Sequence, residues 1–266
     1  MSEKMSNAPV YYALAQAHFN PVAAMAKYVN DVQDSLRHQG YVLYEPQQMT
    51  HLQFTTNGAT PVEPKVAQTT SWLISKSDRT CGFILTDSSL AFHTTHYQTS
   101  HEFIPELLLG INVVHDVVKL DHISRLGLRY LDALLPVPGE SLEQYLVDSL
   151  HGITFGSTRR YSLNEAVFET ECESLLRKST LVARVHQFIN SPLGHPPGLA
   201  PHGLIRMPRF EIKEPTHHAV LDTDHFMEGQ MPLDLGKIKE ALFSLHATIK
   251  LVFEAATTDH ARASWR

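Results

Sequence analysis

The chain has two cysteines in 266 residues, Cys81 and Cys172. That is too few for a disulfide framework, and their spacing fits no zinc motif. Positive charge is also scarce: 22 Lys and Arg against 28 Asp and Glu leave a net charge of -6. Duplex-binding proteins need clustered cations to displace counterions from phosphate, so this balance argues against a nucleic-acid partner. No apolar run approaches the roughly 18 residues needed to cross a bilayer. Residues 1–12, MSEKMSNAPVYY, hold no apolar stretch of signal-peptide length. Catalytic signatures are missing as well: there is no GxSxG elbow, Walker loop, GxGxxG turn, HExxH or CxxC. These absences lead us to expect a cytoplasmic protein with reduced thiols, no membrane association and no cofactor.

A hydrophobic fraction of 43% with 19% charged residues suits a globular chain that buries a real core. The 17 histidines run from His18 to His260 without a tract, so they do not by themselves imply a metal. No composition break marks a linker. The expectation is one compact unit over 1–266, with possible halves at 8–135 and 140–266.

Pro9 to Phe19 alternates as a strand does, and Pro21 then suits the first turn of a helix. Val22, Met25, Val29, Val32 and Leu36 recur at helical spacing, and Gly40 supplies a stop. YVLYE (41–45) reads as a strand, followed by a polar, proline-bearing stretch to Lys65. The turns KSDR and TDSS separate strand-like runs at 70–75, 80–86 and 89–97, an antiparallel meander. A helix then starts with Ser100 as N-cap and carries Phe103, Leu107, Ile111, Val114 and Val118 on one stripe. Residues 122–135 are strand-like. A short amphipathic helix begins at Ser141, and strand-like runs follow near 163–170, 179–189, 203–212 and 217–226. The proline- and glycine-rich loop 190–203 should be exposed. The clearest helix comes last, with Asp234 as N-cap and Leu235, Ile238, Leu242, Leu245, Ile249 and Val252 as its stripe. Helices separated by runs of antiparallel strands indicate α+β, antiparallel sheet packed on a few long helices, with two loosely similar halves as one arrangement.

Two strands carry the polar residues of interest. Side chains alternate across a strand, so in RLGLRYLD the residues Arg125, Gly127 and Arg129 share one face while Leu126, Leu128 and Tyr130 face the core. In VLDTDHF, Asp222, Asp224 and Phe226 share a face and His225 points away. Arginines two pleats apart on one strand pair across a sheet with aspartates two pleats apart on another. The plain reading is a solvated face with ion pairs worth little. The sharper reading is a polar floor of Arg125, Arg129, Asp222 and Asp224 that holds an anionic or zwitterionic ligand, since arginine reads carboxylate and phosphate bidentately. Gly127 between the arginines leaves room for a neighbouring backbone or a ligand.

A metal site is the competing arrangement, built from Asp222 and Asp224 with His225, His218, His93 and His96. Its ligands must converge on one point at about 2 Å, which the local segment alone does not supply. His93 and His96 also precede a helix N-terminus, a place where anions bind. His246 reads as a histidine at the edge of the core.

Several stretches in order, PVYYALAQAHFNP, FHTTHY, RLGLRYLD, LDTDHF and LHATIKLVFEAAT, resemble a sporadically distributed family of uncharacterised prokaryotic proteins of about this length. The resemblance spans nearly the whole chain. It implies no catalytic residue or cofactor, and it points by analogy to accessory or defence-type loci. The first functional expectation is a non-enzymatic binding or assembly protein that presents a polar sheet face to a protein partner or small anionic ligand, with oligomers allowed. The alternative is a metal-dependent hydrolase or nuclease using the Asp/His cluster.

Overall fold

The computed structural model describes residues 5–53, 56–57, 60–61, 65–172, 175, 177–196 and 199–266, with the side chains of 49–69 outside the description. Part of the proline-bearing stretch expected up to Lys65 therefore lies outside the described residues. In chain order the elements are β1 (Val10–Phe19), α1 (Met25–His38), β2 (Leu43–Gln53), β3 (Thr56–Asn57), β4 (Thr60–Pro61), β5 (Lys65–Ser75), β6 (Cys81–Leu85), β7 (Ser89–Thr94), α2 (Ser100–Val118), β8 (His122–Leu134), β9 (Tyr161–Cys172), β10 (Arg177–Ser191), β11 (Thr216–Pro232), α3 (Leu235–Ala256) and α4 (Asp259–Ser264).

Nine strands form one sheet in the order β2-β5-β6-β7-β1-β8-β11-β10-β9, while β3 and β4 pair with each other. Every pairing in the large sheet is antiparallel, so the fold is α+β. Strands of residues 10–134 fill one side of the sheet and those of 161–232 the other, meeting where β8 pairs with β11. The helices are short rather than long. The longest, α3, has 22 residues, about 33 Å at 1.5 Å per residue, less than the roughly 38 Å that eight strand spacings give the sheet.

One face of the sheet is buried against the helices. Ala13, Ala15 and Ala17 of β1, Leu126, Leu128 and Tyr130 of β8, Leu181 and Met227 join Met25, Val29, Val32 and Leu36 of α1, Phe103, Leu107, Ile111 and Val114 of α2, and Ile238, Leu242, Leu245 and Ile249 of α3. The alternation expected for β8 is thus the alternation observed. Small alanines in the central strand let α2 lie close, and α2 packs against both α1 and α3. The cap of α2 is Thr99 rather than Ser100: its hydroxyl accepts from the Glu102 amide at 3.3 Å, while Ser100 is already helical and buried.

Three further expectations need correction. The stretch from Ser141 forms two 3₁₀ turns, 142–144 and 148–150, not an amphipathic helix. Its backbone is claimed from outside: the Val147 amide donates to the Ala256 carbonyl and Tyr145 accepts from the Thr258 amide, which holds Leu142, Tyr145 and Leu146 against Ala256, Ala261 and Trp265. Residues 203–212 are not a strand; they hold only a 3₁₀ turn at Pro208–Phe210. The loop expected to be exposed at 190–203 is instead anchored. Leu193 is buried with Phe210 over Tyr11, Tyr12, Leu131, Ala133 and Val220 on the helix-free face. Tyr11 donates to the Gly194 carbonyl at 2.9 Å, Arg206 to the Leu193 carbonyl at 2.7 Å, and Arg79 to the Gly203 carbonyl at 2.8 Å. The β10–β11 connection therefore crosses the open face and roofs part of it.

Asp132 is a buried carboxyl on the helix side of β8, opposite Leu221 and near the phenols of Tyr97 and Tyr130. Burial raises its pKa from 3.8 to about 7. A raised carboxyl holds its proton more tightly in the folded chain, so stability is lost as pH climbs through that interval. Asp132→Asn should raise the melting temperature at neutral pH, with the gain vanishing at acid pH below the ordinary carboxyl range; a gain independent of pH would contradict this. A Cβ on Gly110 of α2 would sit 2.9 Å from Leu90 Cδ2 and closer still to the Phe83 ring. Gly110→Val should cost roughly 1–3 kcal/mol by overpacking, read by chemical denaturation.

Candidate functional site

The helix-free face carries the polar residues singled out by alternation. Across the β8–β11 pair, Arg129 lies opposite Asp224, Gly127 opposite Phe226 and Arg125 opposite Glu228. The ion pairs do not follow this direct register. Arg129 reaches diagonally to Asp222, donating from Nε to Oδ1 and from Nη2 to Oδ2, both at 2.7 Å. Diagonal neighbours on a sheet are about 7–8 Å apart, within reach of a long side chain. Asp222 is fully buried while the Arg129 side chain is 22% exposed, so this is not the solvated surface pair of the plain reading. Burial works against the Arg129 charge, and the hydrogen bonds and charge of Asp222 outweigh it, so the guanidinium stays protonated.

The remaining groups complete a charged row. Arg184 of β10 hydrogen-bonds Glu165 of β9 and places Nη1 3.8 Å from Asp222 Oδ2. His186 Nε2 is 4.0 Å from the same oxygen, and its Nδ1 meets the Tyr161 hydroxyl at 2.8 Å. Burial lowers the His186 pKa, so the ring is neutral at neutral pH. Arg184 and His186 escaped the sequence reading, which took 179–189 only as a strand-like run; their signal was alternation with Val185 and Gln187 in LVARVHQF.

Arg125 is held differently. It stacks 4.0 Å from the centre of the Phe226 ring, with Glu228 at 3.5 Å and Asp224 at 4.0 Å. Both are ion pairs rather than hydrogen bonds, so its donors are uncommitted. Gly127 makes this possible: a Cβ there would lie 3.0 Å from Phe226 Cβ, so the room it leaves is filled first by a phenylalanine. Burial raises the pKa of Asp224, against the opposing pull of Arg129 and Arg125.

Beside these residues is a cavity of about 370 Å³, large enough for a small organic molecule. Arg125, Gly127, Arg129 and Asp224 form one wall. Leu14, Gln16, Ile84, Ser89 and Ala91 line the cavity from β1, β6 and β7, and Leu199, Ala200 and His202 from the β10–β11 connection. Tyr12, also in the wall, meets Nδ1 of the buried His93 at 3.2 Å. Burial, aided by His202, lowers the His93 pKa to about 3, so this is a neutral pair. Tyr12 and Gln16 escaped the sequence reading; their only signal was alternation in YYALAQAH.

The metal arrangement does not assemble. His225 lies on the helix side, with Nδ1 3.0 Å from the Leu245 carbonyl and Nε2 2.9 Å from Thr170 and 3.0 Å from Ser179. His218 stacks on Phe188 with ring centres 5.2 Å apart, His93 is taken by Tyr12, and His96 contacts Thr95 at 3.0 Å in a different pocket. Asp222 is consumed by arginine. Among the described residues no three His, Cys, Asp or Glu side chains are grouped to hold a metal ion.

The fold and site thus define a class: an antiparallel-sheet protein, helix-backed, with an arginine-walled cavity on its other face. Compared with protein-family models, curated proteins and solved structures, the chain matches none.

Removing one partner of a buried ion pair strands the other charge. Arg129→Ala should therefore cost about 3–5 kcal/mol in chemical denaturation. Arg125→Ala, which breaks only partly exposed ion pairs and a ring contact, should cost about 1 kcal/mol or less. Equal losses would contradict the division of labour between the two arginines.

Proposed function

We propose that the protein is a non-enzymatic binding or assembly component that holds a small anionic or zwitterionic ligand in the roofed cavity. The observation that carries this reading is Arg125: a guanidinium in the cavity wall whose neighbouring carboxylates form ion pairs but no hydrogen bonds. Arg129 is saturated on two of its nitrogens by Asp222 and serves as the fixed support. An incoming carboxylate or phosphate would meet Arg125, while Asp224 stands ready for a ligand's cationic group. Leu14, Ile84 and Leu199 supply apolar contact for the rest of the molecule. The catalytic alternative, a metal-dependent hydrolase or nuclease, lacks convergent ligands among the described residues.

A cytoplasmic location fits Cys81 and Cys172, which are buried and form no disulfide. No described helix is long and apolar enough to cross a membrane. Placement on an accessory or defence-type locus rests on the family resemblance alone.

The test is a thermal-shift and calorimetric titration of the intact protein with inorganic phosphate, citrate and a set of free amino acids. At least one should bind, and Arg125→Ala should weaken it tenfold or more, about 1.4 kcal/mol. Unchanged affinity in Arg125→Ala, or no binding by any member of the set, would overturn the reading.

A further inference from the structure

Strand β9 ends the sheet with its outer backbone edge unpaired among the described residues. Its 12 residues pair with β10 without a register shift, and they contain neither proline nor lysine. Proteins usually blunt long edges with proline, bulges or charged side chains, because an open row of amides and carbonyls is a template for another strand; here the charges are Glu165, Glu169 and Glu171. Six of the eleven large hydrophobic side chains exposed among the described residues fall on this strand and the loop before it: Ile153, Phe155, Tyr161, Leu163, Val167 and Phe168. Val167 is 61% exposed on one face of the strand and Phe168 46% on the other. Apolar groups on both faces suit an edge that continues into another sheet better than one that receives a helix on a single face.

We infer that this edge pairs with the same edge of a second copy, antiparallel, about a two-fold axis perpendicular to the sheet. Such an axis leaves each face on its own side, so residues opposite one another must share a face and the axis must pass through one residue. An axis at Glu165 sets two carboxylates face to face, and one at Val167 sets Glu165 against Glu169. An axis at Ala166 sets Glu165 opposite Val167, Leu163 opposite Glu169 and Tyr161 opposite Glu171, so that no carboxylate meets another and almost the whole strand is paired. The strand's acids are also offset within each copy: Arg184 bonds Glu165, and Lys178 lies 3.6 Å from Glu169. A small residue at the axis lets the two backbones close. The product is an isologous dimer with one continuous sheet, and it is independent of whether the cavity binds an anion.

Sedimentation or light scattering of the full chain should report twice the monomer mass at micromolar concentration. Val167→Lys and Phe168→Lys, both at exposed positions, should return the monomer mass with unchanged circular dichroism. Directly opposite antiparallel residues lie within disulfide reach, so Ala166→Cys should form a disulfide dimer on mild oxidation. Asn164→Cys, whose copy would be displaced along the seam, should not. A monomer at every concentration, a dimer indifferent to both lysines, or equal cross-linking of the two cysteine variants would each overturn the inference.

Discussion

The bidentate contact between Arg129 and Asp222 is the constraint on which the open face depends. A carboxylate with no solvent exposure in the middle of a nine-stranded sheet requires a matched donor. The guanidinium supplies it at 2.7 Å on both oxygens. That bond reaches across β8 and β11, the pair of strands at which the two parts of the chain join. Once Arg129 is committed, Arg184 and His186 can only stand off at 3.8 and 4.0 Å. Arg125, two pleats along, is left to stack on Phe226 with its donors unspent. A fixed cation beside an available one is how a sheet face becomes a site rather than a surface.

The cavity needs a second ingredient, the β10–β11 connection. Without it the open face would be a shallow wet surface on which charge recognition is weak, since exposed ion pairs are screened. The loop is bolted down by hydrogen bonds from Tyr11 and Arg79, braced internally by Arg206, and held by Leu193 and Phe210 packing on the strands. These contacts enclose the space above Leu14, Ile84 and Ala91 while leaving the arginine wall accessible. The helix layer plays no direct part in the site; it fixes the pleat, and with it the side of the sheet on which each arginine emerges.

Much of this was legible in the sequence where one face of an element is buried. The stripe of α3 and the alternation of β8 and β11 were readable because burial selects for apolar residues at a fixed period. Arg125, Arg129, Asp222 and Asp224 were correctly placed on one face for that reason. Their partners were not readable, because arginine reaches diagonally and the direct register puts Asp224, not Asp222, opposite Arg129. The crossing loop was hidden for a different cause. Its anchors are remote in sequence, Tyr11 to Gly194 above all, and proline and glycine there describe local backbone rather than destination. The turns after Ser141 were lost the same way, to hydrogen bonds from residues 256–258.

The most direct measurement is a double-mutant cycle on Arg129 and Asp222, each replaced by leucine singly and together. A pair that organises the open face should show a coupling energy above about 2 kcal/mol. The doubly substituted protein should recover much of the stability lost by either single change, since paired hydrophobic replacement relieves the stranded charge. A coupling near the few tenths of a kcal/mol typical of surface ion pairs would contradict the account.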